Sequence, residues 1–263
     1  MFKVSDHTFA VCAYKQSPFL GECIDSLLKQ TVLSRVIVCT STPNDYIKGL
    51  CDEYSLPLYV SHGCSGIARD WNFALKAADC PLVTIAHQDD VYKPEYFESA
   101  LSYLNRAKRP LLFFSGYSEL RGQDECDNNT LLNIKRLMLR PLERQKNSSS
   151  VFVRRRILSL GDPIDCPSIT YVLPNLPSPL FKEDYYGSLD WQMLEEVSRL
   201  SGDFTYNPAV LMSHRIHAGS ETSSLIESHQ RSDEDLDMFC KFWPRPIALL
   251  ISKAYSLSQK SNG

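Results

Sequence analysis

The first half of the chain alternates between short apolar runs and segments with a helical period. The apolar runs predict strands at Thr8–Ala13, Arg35–Thr40, Leu58–Ser61, Leu82–Ala86 and Leu111–Tyr117. The segments between them predict helices at about Phe19–Lys29, Asp45–Tyr54, Gly66–Ala78 and Pro94–Arg106. Unbroken apolar strands separated by helices are typical of a parallel sheet that is covered on both faces. The pattern therefore predicts an α/β fold with a mostly parallel sheet flanked by helices.

The pattern becomes less regular after Glu119. We expect a polar loop at Gly122–Asn129, an amphipathic helix at Leu131–Gln145 and an irregular, proline-rich stretch at Asp162–Leu180. Helical periods return at Ser188–Ser201, with Gly202 as a stop signal, and at Asp233–Trp243 and Ile247–Ser256. The second half is thus predicted to add helices and loops to the sheet formed by the first.

Composition narrows the class of protein. A chain of 263 residues with 43% hydrophobic and 22% charged residues is ordinary for a globular protein. A formal net charge of −3 argues against nucleic acid as the main partner. The nine cysteines form no C-x-x-C pair, and Met1–Ala10 does not read as a signal peptide. We therefore expect reduced thiols and a cytoplasmic location.

Candidate chemistry begins where the Leu82–Ala86 strand ends, in the sequence His87-Gln88-Asp89-Asp90. Ligands of open α/β sheets bind beyond the carboxyl ends of the strands. Two adjacent carboxylates beside an imidazole are well suited to hold a divalent cation and, through it, a diphosphate. The ordinary alternative is a helix cap or turn, since aspartate is common at such positions.

Five motifs in order resemble the family 2 glycosyltransferases of the GT-A fold. They are Phe9–Lys15, Leu20–Thr31, Gly66–Asn72, His87–Asp90 and Leu189–Trp191. The resemblance implies a Rossmann-like GT-A domain at residues 1–228, with a nucleotide-binding half of about 1–118 and an acceptor-side half of about 119–228. Residues 229–263 would then be a C-terminal helical extension. It also implies an inverting, metal-dependent hexosyltransferase of cell-surface polysaccharide or glycan synthesis, which moves a sugar from a nucleotide-sugar donor to a glycan or lipid-linked hydroxyl.

The resemblance also implies roles for single residues. Asp190 would be the catalytic base, with Glu183 and Asp184 in reserve. Asp89 would bind the divalent cation, Mn²⁺ or Mg²⁺, with His217 and His87 as further ligands. The donor would contact Ala13, Tyr14, Thr40, Arg69, Gln88 and Asp90. Structural roles remain open for several of them: an N-cap for Asp190, a surface charge for Arg69, and a loop hydrogen bond for His217.

Two departures from the family's pattern concern the donor site. The family usually has an Asp-Asp-Gly-Ser sequence after its second strand, where an aspartate bonds the base, but here Val38 is followed by Cys39-Thr40-Ser41-Thr42. The base is therefore not assigned. His87 occupies the first acidic position of the metal motif, and an imidazole suits Mn²⁺ better than Mg²⁺.

The segment Leu131–Arg156 carries an excess of positive charge. It holds eight basic residues and one acid, Glu143. A solvated helix face explains this excess, and so does peripheral contact with the anionic inner face of a membrane or with a lipid diphosphate acceptor. The apolar residues near the C-terminus would assist at such an interface, pack on the core, or form a homodimer contact.

Two other functions remain open. A catalytically silent GT-A-like module that binds nucleotide or glycan is compatible with both departures from the family's pattern. A sugar-nucleotide nucleotidyltransferase also uses carboxylates and a metal on a related sheet. It would need a glycine-rich loop after the first strand, and Cys12–Ser17 contains no glycine.

Overall fold

A computed structural model describes residues 1–217 and 230–260. Its strands are β1 (His7–Ala13), β2 (Arg35–Thr40), β3 (Leu58–Val60), β4 (Leu82–His87), β5 (Val91–Tyr92), β6 (Pro110–Arg121), β7 (Asp124–Cys126), β8 (Ile169–Val172) and β9 (Asp203–Arg215). Its helices are α1 (Leu20–Leu28), α2 (Asp45–Glu53), α3 (Ile67–Ala78), α4 (Tyr96–Arg106), α5 (Thr130–Leu139), α6 (Val151–Ile157), α7 (Leu189–Ser198), α8 (Gln230–Cys240) and α9 (Arg245–Lys260). Short 3₁₀ turns lie between several of them.

The strands of the described residues form one sheet in the order β3-β2-β1-β4-β8-β6-β9-β5, with β7 hydrogen-bonded to β6. Strands β3, β2, β1 and β4 run parallel to one another, and β9 runs parallel to β6. Strand β8 is antiparallel to both β4 and β6. The predicted α/β class, with a mostly parallel sheet flanked by helices, is confirmed.

Alternate side chains of the central strands enter two cores on opposite faces of the sheet. Phe9 and Val11 of β1 pack in the core that contains the buried residues of α1 and α4. Ala10, between them, packs in the core that contains α3 and α7. Burial on both faces explains why the strands of the first half are apolar without alternation.

The structure differs from expectation in three segments after Glu119. The predicted helix at Leu131–Gln145 ends at Leu139 and continues as 3₁₀ turns, because Pro141 cannot continue an α-helix. The stretch Asp162–Leu180 is not wholly irregular, since it contains the buried strand β8 between two prolines. The polar loop at Gly122–Asn129 contains β7, the second strand of a hairpin.

Strand β9 begins directly after Gly202, which ends the α7 segment as predicted. Gly202 has a φ of +146°, and a Cβ at this position would lie 2.6 Å from the carbonyl oxygen of Arg109. Any other residue would clash there, so the turn into β9 depends on glycine. The strand then runs to Arg215, so His214 lies in a strand. Gly219 and Ser220, which indicate a loop in the sequence, fall outside the described residues.

The two C-terminal helices pack against α7. The ring of Phe239 in α8 lies 5.0 Å from Trp191, and Tyr255 in α9 lies 5.5 Å from Phe239. Phe239 and Ala248 are fully buried in the core on the α7 face of the sheet. In the part of the chain that the structure covers, no helix has the length and apolarity needed to cross a bilayer.

Candidate functional site

The turn after β4 brings Asp89 close to His217, at the end of β9. The distance from Asp89 Oδ2 to His217 Nε2 is 2.9 Å, and the two side chains are 20% and 27% exposed. Neighbouring ligands of a six-coordinate cation with bonds of about 2.1 Å lie roughly 3 Å apart. The pair therefore fits two adjacent positions of a divalent cation. Within residues 1–217 and 230–260, no three His, Cys, Asp or Glu side chains are arranged to hold a metal ion.

The buried side chain of Arg215 stabilises this turn. Its guanidinium is almost fully buried, with Nε donating to the carbonyl oxygen of Asp89 at 2.8 Å and Nη2 donating to Glu22 at 2.6 Å. It also lies 4.4 Å from the ring of Phe19. The backbone N–H of Arg215 donates to the buried Asp90 carboxylate at 2.9 Å. Arg215 and Asp90 thus support the turn that carries Asp89 from inside the protein, and contact between Asp90 and the donor stays a prediction.

Two histidines flank the buried Asp90 carboxylate. His214 Nδ1 lies 3.2 Å from Asp90 and 4.0 Å from Asp165. Burial opposes protonation of His214, but Asp165 and Asp90 outweigh it and raise its pKa to about 10. His87 stacks on Trp71 with ring centroids 5.1 Å apart, and its Nδ1 lies 3.8 Å from Asp90. These contacts place His87 beside Asp90, and its role as a metal ligand stays a prediction.

The residues expected at the nucleotide lie together at the carboxyl ends of β1 and β2, where Ala13 pairs with Thr40. Gln88 accepts the N–H of Tyr14 at 2.9 Å and donates to its carbonyl oxygen at 3.1 Å. Thr40 Oγ1 accepts the N–H of Thr42 at 3.0 Å. The side chains of Gln88 and Thr40 therefore form hydrogen bonds with the backbone of the loops after β1 and β2, and they stabilise those loops.

The Arg69 side chain contacts the segment before α7. Its half-exposed guanidinium donates to Glu183 at 2.6 Å. One turn later, Asn72 accepts from the N–H groups of Leu180 and Phe181 and donates to the carbonyl oxygen of Phe181 at 2.7 Å. Helix α3 therefore anchors the segment before α7. Arg69 would have to leave Glu183 to reach a diphosphate.

Asp190 is the second residue of α7. Its Oδ1 accepts the N–H of Trp191 at 2.8 Å, and the Trp191 ring is buried in the core. Burial raises the pKa of both Asp162 and Asp165, and a neighbouring carboxylate raises each further: Asp190 for Asp162 and Asp90 for Asp165. The base candidate and the Asp89–Asp90 turn therefore border one cluster of aspartates.

This cluster was not predicted from the sequence. Lys135 also belongs to it, because its ammonium donates to the hydroxyl of Tyr117 at 2.7 Å. Burial lowers the pKa of Lys135, but Tyr117 and Asp165 outweigh burial and raise this pKa above its usual value. The available signal was the sequence Asp162-Pro-Ile-Asp165-Cys-Pro, with two carboxylates among apolar residues and prolines. Such carboxylates favour a functional site over a solvated loop.

The chain matches the profile of Glycosyl transferase family 2 over residues 8–158. It belongs to this family. A comparison with curated protein sequences gives no match.

Solved structures of other glycosyltransferases share the fold. TarS residues 1–349 from S. aureus in complex with UDP-GlcNAc is 15% identical, with a TM-score of 0.64 over 96% of this chain and 71% of that one. The mannosyltransferase PcManGT from Pyrobaculum calidifontis, in complex with GDP-Man and Mn²⁺, is 16% identical, with a TM-score of 0.62 over 95% and 69%. At these identities the likeness shows the fold, which is GT-A.

Several basic residues of the glycosyltransferase's Leu131–Arg156 segment make contacts within the protein. Arg154 is buried and donates to the carbonyl oxygens of Leu200 and Gly202, Arg155 pairs with Glu195, and Arg156 lies 5.0 Å from the Trp243 ring. The exposed basic residues of the segment are Arg140, Arg144, Lys146 and Arg156. Peripheral membrane contact stays a prediction, and it depends on these four charges and on the 77% exposed Phe152.

Proposed function

We propose that the protein is a metal-dependent, inverting glycosyltransferase that moves a sugar from a nucleotide donor to a hydroxyl of a glycan or lipid-linked acceptor. The observation that carries the proposal is the Asp89–His217 pair, 2.9 Å apart, at the turn after β4, whose carboxyl end pairs with that of β1. This arrangement would bring a nucleoside diphosphate and a divalent cation to one place. The complexes of the two structural neighbours, with UDP-GlcNAc and with GDP-Man and Mn²⁺, support this choice of donor.

On the donor side, Asp89 and His217 would be the protein's ligands to a divalent cation. A divalent cation held there would act as a Lewis acid toward the departing diphosphate. Tyr14 and Ala13 would border the nucleotide at the end of β1. The buried Arg215 donates a hydrogen bond to the backbone carbonyl oxygen of Asp89 and so holds the backbone that carries the Asp89 carboxylate.

The acceptor side uses Asp190. Its carboxylate would take the proton of the acceptor hydroxyl while that oxygen attacks the anomeric carbon and the bond to the diphosphate oxygen breaks. Displacement from the face opposite the leaving group inverts the anomeric centre. The start of α7 favours the ionised carboxylate that this step requires.

A silent binding module is the second candidate. It is favoured by the pairing of Arg69 with Glu183, since Arg69 is then not available to stabilise the negative charge that develops on a departing diphosphate during turnover. It predicts that nucleotide binds without turnover. Measuring release of nucleoside diphosphate therefore separates the two functions.

The experiment incubates the protein with UDP-GlcNAc or GDP-mannose and Mn²⁺ and measures release of UDP or GDP, with water as acceptor. We expect release by the wild type and a loss of about 100-fold or more in Asp190→Asn, because an amide cannot take the proton. Asp52→Asn, at an exposed position near the end of α2, is the matched control and should retain the activity. Absence of release by the wild type, or equal release by Asp190→Asn, would contradict the proposal.

A further inference from the structure

Helix α8 places two carboxylates at the amino end of α7. Glu234 accepts three consecutive backbone N–H groups: Tyr186 at 3.0 Å, Gly187 at 2.8 Å and Ser188 at 2.9 Å. The next residue, Asp235, is 4% exposed and accepts the hydroxyl of Ser188 at 3.1 Å. Both acids therefore bind the short segment that leads directly into α7.

These contacts hold the backbone that enters α7, and the Ser188 N–H is the one among them at the N-cap position. Ser188 precedes the first residue of α7, yet its side chain makes no capping hydrogen bond to the helix. The N–H groups at the start of a helix need partners, and a carboxylate near them is stabilised by the helix dipole. Hydrogen bonds to an ionised acceptor are about twice as strong as neutral ones. Glu234 thus fixes the approach to α7 more firmly than a serine cap would.

The rest of α7 is held independently. Met193 and Leu194 are fully buried, and the indole N–H of Trp191 donates to the carbonyl oxygen of Leu158 at 3.0 Å. Loss of the Glu234 contacts would therefore leave the helix packed in the core. It would release only the segment before the helix and its first turn, where Asp190 lies.

We propose that Glu234 is a positioning residue, which fixes the first turn of α7 so that Asp190 faces the acceptor hydroxyl. The proposal rests on the proposed role of Asp190 as base. A displacement of about 1 Å at a reacting group costs roughly 100-fold in rate, so a small movement of this turn is sufficient to matter. The C-terminal helices then contribute to catalysis, as well as covering the core.

The test compares Glu234→Ala and Glu234→Gln with Asp233→Asn, an exposed neighbour on the same helix. Hydrogen exchange of the Tyr186, Gly187 and Ser188 amides should accelerate in Glu234→Ala and change less in Glu234→Gln, which keeps one acceptor oxygen. In the UDP-GlcNAc and GDP-mannose assay, kcat should fall about 10- to 100-fold in Glu234→Ala, with the KM of the donor unchanged. Glu234→Gln should recover part of that loss, and Asp233→Asn should match the wild type.

The outcomes separate this proposal from the proposed function. An active wild type, together with a Glu234→Ala protein that exchanges and turns over like Asp233→Asn, overturns the positioning role alone. A rise in donor KM with unchanged kcat also overturns it, because the contacts would then serve donor binding. A wild type that releases no nucleoside diphosphate overturns the proposed function, and the positioning role with it.

Discussion

At the scale of single residues, burial and neighbours set the protonation of several side chains. His214 is held as a cation between Asp90 and Asp165, whereas His7 is kept neutral. His7 has its two ring nitrogens 2.7 Å from Ser34 Oγ and 2.9 Å from Thr84 Oγ1. Burial lowers its pKa to about 3. The raised pKa of His214 and the lowered pKa of His7 change the pH dependence of folding stability in opposite directions. The contributions of the two residues to this dependence can therefore be distinguished.

We predict that His7 makes the protein lose stability as the pH falls from about 6.5 toward about 3. In that range the unfolded chain binds a proton that the native state excludes, which costs at most about 1.4 kcal/mol per pH unit. Urea unfolding at pH 7.5 and 5.5 should therefore show about 1 kcal/mol less pH dependence in His7→Gln than in the wild type. The exposed His62→Gln is the control, and equal pH dependence in all three proteins would contradict the prediction.

The sequence allows prediction of the residues of the site that belong to local motifs. The turn at Asp89–Asp90 follows an apolar run, and Asp190 follows a helix start, so both positions are visible locally. Asp162, Asp165 and Lys135 could not be predicted in the same way, because their proximity depends on packing between distant segments. The capping of α7 by Glu234 was missed for the same reason.

At the scale of elements, β9 joins the site to the rest of the sheet. It brings His214, Arg215 and His217 alongside the turn after β4, and it pairs with β6 over most of its length. Strand β8 completes the arrangement between β4 and β6. The strands and helices of the first half follow from periodicity, whereas the four residues of β8 are surrounded by prolines and owe their conformation to the two neighbouring strands.

We predict that Arg215→Lys destabilises the protein by about 1–3 kcal/mol, because lysine cannot bind the Asp89 carbonyl oxygen and the half-exposed Glu22 at once and leaves one of them unpaired. Arg121→Lys, at an exposed side chain that pairs with the buried Glu119 on β6, should change stability by less than about 1 kcal/mol, because lysine can keep this single contact. Urea unfolding of the two variants provides the comparison. Equal stability of both would show that the buried contacts of Arg215 do not hold the turn.

At the scale of the whole molecule, the C-terminal helices share a core with the catalytic fold. Trp191 of α7 packs between Phe239 and Phe242 of the C-terminal part, and Tyr255 lies against Gly161. A sequence pattern shows that these helices are amphipathic without showing what they cover. Whether residues 229–263 unfold as a separate extension is therefore a question for stability measurements.

We predict one cooperative unfolding transition for the whole chain. Phe239→Ala should lower the stability of that single transition by about 3–5 kcal/mol, since it opens a cavity beside Trp191. Leu250→Ala, at a position 70% exposed on α9, should have an effect below about 1 kcal/mol. Calorimetry with two transitions, of which only the weaker one shifts in Phe239→Ala, would contradict the prediction and identify the extension as a separate unit.

The most direct test of the donor site is the thermal stabilisation of the protein by UDP and GDP, each with and without Mn²⁺. At 100 times its Kd, a ligand adds about 2.7 kcal/mol, which is about 5–10 °C for a protein of this size. We predict a shift with at least one nucleotide that requires Mn²⁺ and is lost in both Asp89→Asn and His217→Ala. Glu53→Gln, at the exposed last residue of α2, is the control and should retain it. No shift with either nucleotide, or a shift that persists without Mn²⁺ and in both variants, would contradict the metal-dependent donor site.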